Sequence, residues 1–355
     1  MSTKLLQYTH GRDNNFNLIR FMAAVLVLYS HSFVLTTGLV STEPLYTSLG
    51  MSIGSISVDI FFITSGFLVS ASWYTRNNLK IFALSRGLRI LPALIVAVLF
   101  SSFIIGLYFS VLPYEKYLLN TDVYKFIFKN ILLFAGIDYN LPGVFNNNPY
   151  PNAINGSLWS LPYEVKMYVC MVIISVLVTW INKKINIAST RVIYFYLAMI
   201  FLSISLISDH LGLYSGKFIH LFYMFFIGVA FYINRDKVPL NTIVFLVLFL
   251  ILVLSSCNEY LFNLVYKLVI PYLVLFIAYV PSGVIRKFNR YGDYSYGIYI
   301  YAFPIQQAFV AVLPNIEVNE MMLYSFLTTM IFSTLSWRYI EKPSLSLKKT
   351  FLAKN

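Results

Sequence analysis

Residues 18–31 read LIRFMAAVLVLYSH, an arginine and a histidine bracketing an almost wholly apolar run. Extended to 16–36, the segment matches the ~20 residues that cross a bilayer as a helix. From Arg20 to His31 is close to three helical turns, so the two side chains share one face, roughly 16 Å apart along the axis. Alone, Arg20 could snorkel to headgroups and His31 could bond a neighbouring helix. On a shared face both must meet protein or a cavity, because ionisable groups inside a span are costly to leave in lipid.

The rest of the chain repeats this apolar pattern. Of its 355 residues 59% are hydrophobic and only 11% charged, against a usual charged share of about 25%. A soluble globule of that composition would leave large apolar patches in water. The runs predict an all-α, polytopic integral membrane protein with about ten transmembrane helices: 16–36, 53–73, 89–111, 160–182, 192–208, 218–234, 240–255, 261–280, 294–313 and 320–339. The shorter stretch 123–137 reads as an interfacial amphipathic helix.

Orientation follows from Lys and Arg, which favour cytoplasmic loops. With a cytoplasmic N-terminus, 18 of the 26 basic residues fall inside, and the outer loops hold only Lys116, Lys125, Lys129 and Lys217. Both termini are thus expected in the cytoplasm. The net charge of +12 is mostly topology, and its dispersal among short loops argues against a nucleic-acid partner. Cys170 and Cys257 show no metal-ligand spacing, and no metal is expected. The first apolar segment is full length and polar at two points, so it is expected to stay in the mature protein and not to be cleaved as a signal. The whole of 1–355 reads as a single transmembrane domain with one long outer loop, 112–159. The second half of that loop is rich in Asn, Pro and Gly and suits the lid or rim of an outward-facing site. No internal repeat is visible, which weakens a transporter built on repeated halves.

Depth sorts the remaining polar residues into two layers. Arg20, Arg86 and Arg89 form an inner cationic layer. His31, Asp59 and Glu164 form an outer layer of acid/base groups. Guanidinium groups suit a phosphate-bearing ligand from the cytoplasm. A histidine backed by a carboxylate suits deprotonation of a hydroxyl. A ligand with a phosphate head and a long thin reactive arm, such as acyl-coenzyme A, would join the layers. His210 and His220, also near the outer face, are the next candidate bases.

At these residues the chain resembles the acyltransferase-3 family of membrane-bound acyltransferases. The R-x10-H signature appears as Arg20 to His31, and the RxxR signature as Arg86 to Arg89. VDIFFITSGFL (58–68) is similar to the family's second-helix pattern, and SLWSLPYEVKMY (157–168) to its Trp-Ser-Leu-x-x-Glu block. SYGIYIYAFP (295–304) and YIEKP (339–343) resemble its ninth-helix and C-terminal blocks. Six blocks in order are far more specific than either short motif.

The resemblance implies a bacterial cytoplasmic (inner) membrane O-acyltransferase. It would move an acetyl group from cytoplasmic acetyl-CoA, the acyl donor, to a hydroxyl of a surface polysaccharide or lipid-linked oligosaccharide such as O-antigen or exopolysaccharide. It further implies His31 as catalytic base, Arg20, Arg86 and Arg89 as coenzyme-binding groups, and Glu164 as the glutamate of the Trp-Ser-Leu block. Glu164 or Asp59 is expected to orient His31 or the acceptor, and a covalent acyl-His31 fits equally well. Many members carry a histidine where Ala302 stands, so this chain must do without it. The rival class is a transporter or flippase for a lipid-linked sugar, lining a path with the same residues.

Overall fold

The structure is a computed structural model that describes residues 3–9, 11, 13–134, 136–185, 190–211 and 216–354. Among these residues it is helical almost throughout. A single two-stranded antiparallel pair joins Thr3–Lys4 to Pro239–Leu240, with Thr3 opposite Leu240.

The helices are α1 (Phe16–Thr37), α2 (Ile53–Arg76), α3 (Leu79–Phe109), α4 (Thr121–Leu132), α5 (Leu161–Ile185), α6 (Thr190–His210) and α7 (Lys217–Ile233). They continue as α8 (Thr242–Ser255), α9 (Glu259–Tyr279), α10 (Ser295–Val312), α11 (Val318–Ser336) and α12 (Lys342–Lys354). Every expected span coincides with a helix. Among the described residues six segments, containing α1, α2, α3, α5, α6 and α9, are long and apolar enough to cross a membrane by length and composition. Helices α7 and α8 are apolar but shorter.

Helix α3 begins ten residues before the expected start at 89. Asn78 caps it, its side chain accepting from the Ile81 amide at 3.1 Å, as Asn does at helix starts. The polar first turns of α3 hide this start from a hydropathy reading. They place Arg86 and Arg89 inside the helix, not at its mouth. Near its other end five residues, Ser101–Ile105, widen into a π turn. The stretch read as interfacial is α4, which buries Val123, Phe126, Ile127 and Asn130 and packs along α3. Asn130 closes the following turn by exchanging two 2.9 Å hydrogen bonds with the Asp138 backbone.

Helices α2 and α7 run parallel at very close approach. A Cβ at Gly66 would lie 2.0 Å from the Phe225 carbonyl oxygen, and one at Gly228 would lie 2.3 Å from that of Ile63. Only glycine fits at these two points, and small residues are how membrane helices bring their backbones together.

The N-terminal segment ties several basic loops to one end of the bundle. Leu6 and Leu5 donate to the Arg235 and Val238 carbonyls, both at 2.8 Å, and Asn15 donates to those of Ile277 and Pro281 at 2.9 and 2.8 Å. Arg286 pairs with Asp13 at the same end.

The loop 112–159 does more than form a rim. Gln307 of α10 donates to the Tyr150 and Ala153 carbonyls, both at 2.8 Å. Farther on, Asn155 donates to the Ile300 carbonyl at 2.8 Å, and Ser160 meets the Tyr299 hydroxyl at 2.7 Å. The chain therefore descends beside α10 by roughly two turns, about 12 Å, before α5 starts within the bundle.

Candidate active site

Three cavities lie in series through the bundle and share walls. The largest, about 790 Å³, is lined by His31 of α1, Asp59 of α2, His220 of α7 and Lys267 of α9, with Trp159 from the descending loop. Its wall at Val58 and Tyr299 also bounds a constriction of only about 30 Å³ between Phe61, Phe62 and Arg20. Arg20, Glu164 and Tyr296 in turn connect that constriction to a third cavity of about 210 Å³, walled by Arg86, Arg89 and Tyr168. The helix face shared by Arg20 and His31 thus spans the series, one residue at each end.

His31 stands in the large cavity with its ring edge-on to Phe303, centroids 5.1 Å apart. Its Nδ1 is buried without a hydrogen-bond partner among the described residues. Neither carboxylate expected to orient it does so. Asp59, 1% exposed, places Oδ1 at 2.7 Å from Nε2 of His220. Its Oδ2 accepts from the Tyr266 hydroxyl at 2.9 Å. Glu164 is not in the outer layer at all. Because the loop descends before α5 begins, the first turn of α5 carries Glu164 down to the arginines. There it accepts from Ser65 at 3.1 Å and from the Tyr168 hydroxyl.

The inner arginines divide into two kinds. Arg89 is already paired, with Asp293 at 2.5 Å and Glu341 at 3.5 Å. Arg20 and Arg86 each bury a guanidinium Nε with no partner among the described residues. Arg20 lies 5.6 Å from the Phe61 ring centroid, and Arg86 lies 5.8 Å from that of Tyr168. Buried guanidinium donors without partners are costly unless a ligand meets them. The cavity is therefore suited to an anion, and Arg89 shapes it from behind.

Sequence reasoning passed over the partners: Tyr266, Tyr168, Asp293 and Glu341. Glu341 sits inside the YIEKP block and Asp293 just before the ninth-helix block, so both were within sight of a motif. Tyr168 closes the Trp-Ser-Leu-x-x-Glu block itself, whereas Tyr266 is lost among 28 tyrosines. The side chain of His210 lies outside the described residues.

No solved structure matches the chain. An O-acetyl transferase of Shigella phage Sf6 is 29% identical over 345 residues, covering 94% of this chain and 97% of that protein. Nodulation protein 10 of Rhizobium leguminosarum bv. viciae is 30% identical over 172 residues, 46% of this chain and 45% of that protein. The profile described as the acyltransferase domain of the acyltransferase-3 family matches residues 13–338. Its span takes in Arg20, His31, both arginines of α3 and the first turn of α5, and the chain belongs to that family.

Proposed function

We propose that the protein is an O-acetyltransferase of the bacterial cytoplasmic membrane. It takes an acetyl group from cytoplasmic acetyl-CoA and delivers it to a hydroxyl of a cell-surface glycan or its lipid-linked precursor. In this reading all ten helical spans cross the membrane and both termini are cytoplasmic. The observation that carries the reading is the series of cavities from Arg20 and Arg86, whose buried Nε atoms have no partner among the described residues, to His31. Their separation along α1, roughly 16 Å, is comparable to an extended pantetheine arm. Phosphates would rest against Arg20 and Arg86, the arm would thread the constriction, and the thioester would reach His31. The acceptor would enter the wide cavity, where the Trp159 ring, with Lys217 4.4 Å from its centroid, offers a flat apolar face and a charge. The name of the phage relative supports acetyl as the group moved.

Sidedness tests the arrangement. In sealed vesicles of known orientation, acetyl-CoA should support transfer only when supplied to the cytoplasmic face. The acceptor should gain about 42 Da per acetyl group, the mass of an acetyl replacing a hydrogen. Equal activity from the outer face of intact vesicles would refute the through-membrane route.

Arg86 tests the donor site. Loss of a hydrogen bond to a charged group costs about 1.5–3 kcal/mol, or roughly 10–150-fold in affinity. Arg86→Ala should weaken acetyl-CoA binding by that factor, measured by calorimetry on the purified protein. Arg86→Lys should recover only part, since a point charge cannot reproduce the planar fork. Wild-type affinity in Arg86→Ala would return this arginine to a purely topological role.

A further inference from the structure

His220 lies in the first turn of α7 and opens onto the same cavity as His31. Its side chain is 25% exposed, whereas Asp59 behind it is almost fully enclosed. With Asp59 as a carboxylate, the 2.7 Å contact requires the hydrogen to sit on His220 Nε2. Nδ1 then keeps its lone pair. Tyr266 donates to the second Asp59 oxygen at 2.9 Å, so the carboxylate is held from two sides and cannot turn away. A ring with one nitrogen anchored on a buried carboxylate, and the other without a partner among the described residues, is built to accept a proton and to be stabilised once it has done so. His31 has no such backing: its Nδ1 meets no partner among the described residues. A purely structural tie between α2, α7 and α9 would have no need to open onto the cavity.

We infer that His220, held by Asp59, is the base that takes the proton of the acceptor hydroxyl, an inference that rests on the acyl-transfer reading above. The acceptor O–H gives its proton to His220 Nδ1 while its oxygen bonds the acetyl carbon. The carbon–sulfur bond breaks, and coenzyme A leaves as a thiolate that takes the proton back from His220. Asp59 remains a carboxylate throughout and stabilises the transient imidazolium. His31 is left to act on the acetyl carbonyl itself. Other ionisable groups lining this cavity or anchoring the pair are His31 on α1, Glu43 and Tyr46 between α1 and α2, Tyr150 in the loop before α5, Lys217 on α7, Tyr266 and Lys267 on α9, Tyr299 on α10 and Asp209 on α6. Lys267 is paired with Asp209 at 2.7 Å.

His220→Gln separates this role from a structural one, because glutamine can still donate to Asp59 but cannot titrate. With purified full-length protein and a glycan acceptor, kcat should fall by about 10²–10⁴-fold, the usual effect of removing a general base. Acetyl-CoA affinity should stay at the wild-type value. A protonated His220 cannot accept, so wild-type kcat should show an acidic limb, falling as pH is lowered. That acidic limb should vanish in His220→Gln. Asp59→Asn, which lacks the carboxylate, should lower kcat and displace the limb. A His220→Gln protein with wild-type kcat and an unchanged acidic limb overturns the inference. So does one that loses acetyl-CoA binding together with transfer, since the pair would then be holding the fold. A wild-type protein that transfers no acetyl group under any of these conditions brings down the acyl-transfer reading itself, a different result.

Discussion

Replacing His31 by alanine should abolish acetyl transfer and leave the bundle folded. The expected fall in turnover is about 10²–10⁴-fold, the range seen when a positioned acid–base group or a donor to the developing oxyanion is removed. Folding should survive because His31 supports little: its ring packs against Phe303, and its buried Nδ1 has no partner among the described residues to be orphaned by the change. The measurement is turnover of purified His31→Ala, with an unchanged size-exclusion profile and unchanged acetyl-CoA affinity as controls. Retention of more than about half of the wild-type rate lies far outside the expected range and would remove His31 from the reaction.

Arg89→Ala is expected to fail in the opposite way, by folding poorly. Arg89 holds Asp293, just before α10, and Glu341, the last residue of a π turn (Trp337–Glu341) that follows α11. Glu341 is 1% exposed and Asp293 is largely enclosed. Removing the cation leaves two enclosed carboxylates facing each other, and breaking a buried pair from one side costs about 3–5 kcal/mol. The thermal midpoint in detergent should drop well below that of Arg86→Ala, whose guanidinium holds no carboxylate among the described contacts. Arg89→Lys should sit between. An Arg89→Ala protein as stable as wild type, but deficient in acetyl-CoA binding, would restore Arg89 to the donor site beside Arg86.

The two arginines of one short motif therefore part company, and nothing in their spacing foretells it. The helices were legible because apolar runs near bilayer length leave few alternatives. The shared face of Arg20 and His31 was legible because it follows from helical period alone. Glu164 was misplaced in depth for a definite reason. In the sequence, depth follows from the apparent start of a span, and the loop before α5 enters the bundle before that span begins. Asp59 suits a partner for His31 or for the acceptor, because both histidine and carboxylate fall in the outer half of their spans. Which of two histidines a carboxylate meets depends on how closely α2 and α7 approach. That distance is set by Gly66 and Gly228, whose role is invisible until the helices are packed.

The descending loop also constrains the order in which the chain can be completed. Asn155 and Ile300, hydrogen-bonded in the finished bundle, are 145 residues apart in the chain. At a synthesis rate of about 5–20 residues per second, roughly 7–30 s pass between the appearance of one and of the other. Through that interval the stretch from Tyr150 to Ser160 has no α10 to lie against, and its amides and carbonyls must be satisfied by water or by the insertion machinery. Helix α5 cannot take its final depth until α10 arrives. The wide cavity, whose lining includes both segments, is therefore among the last parts of the protein to exist.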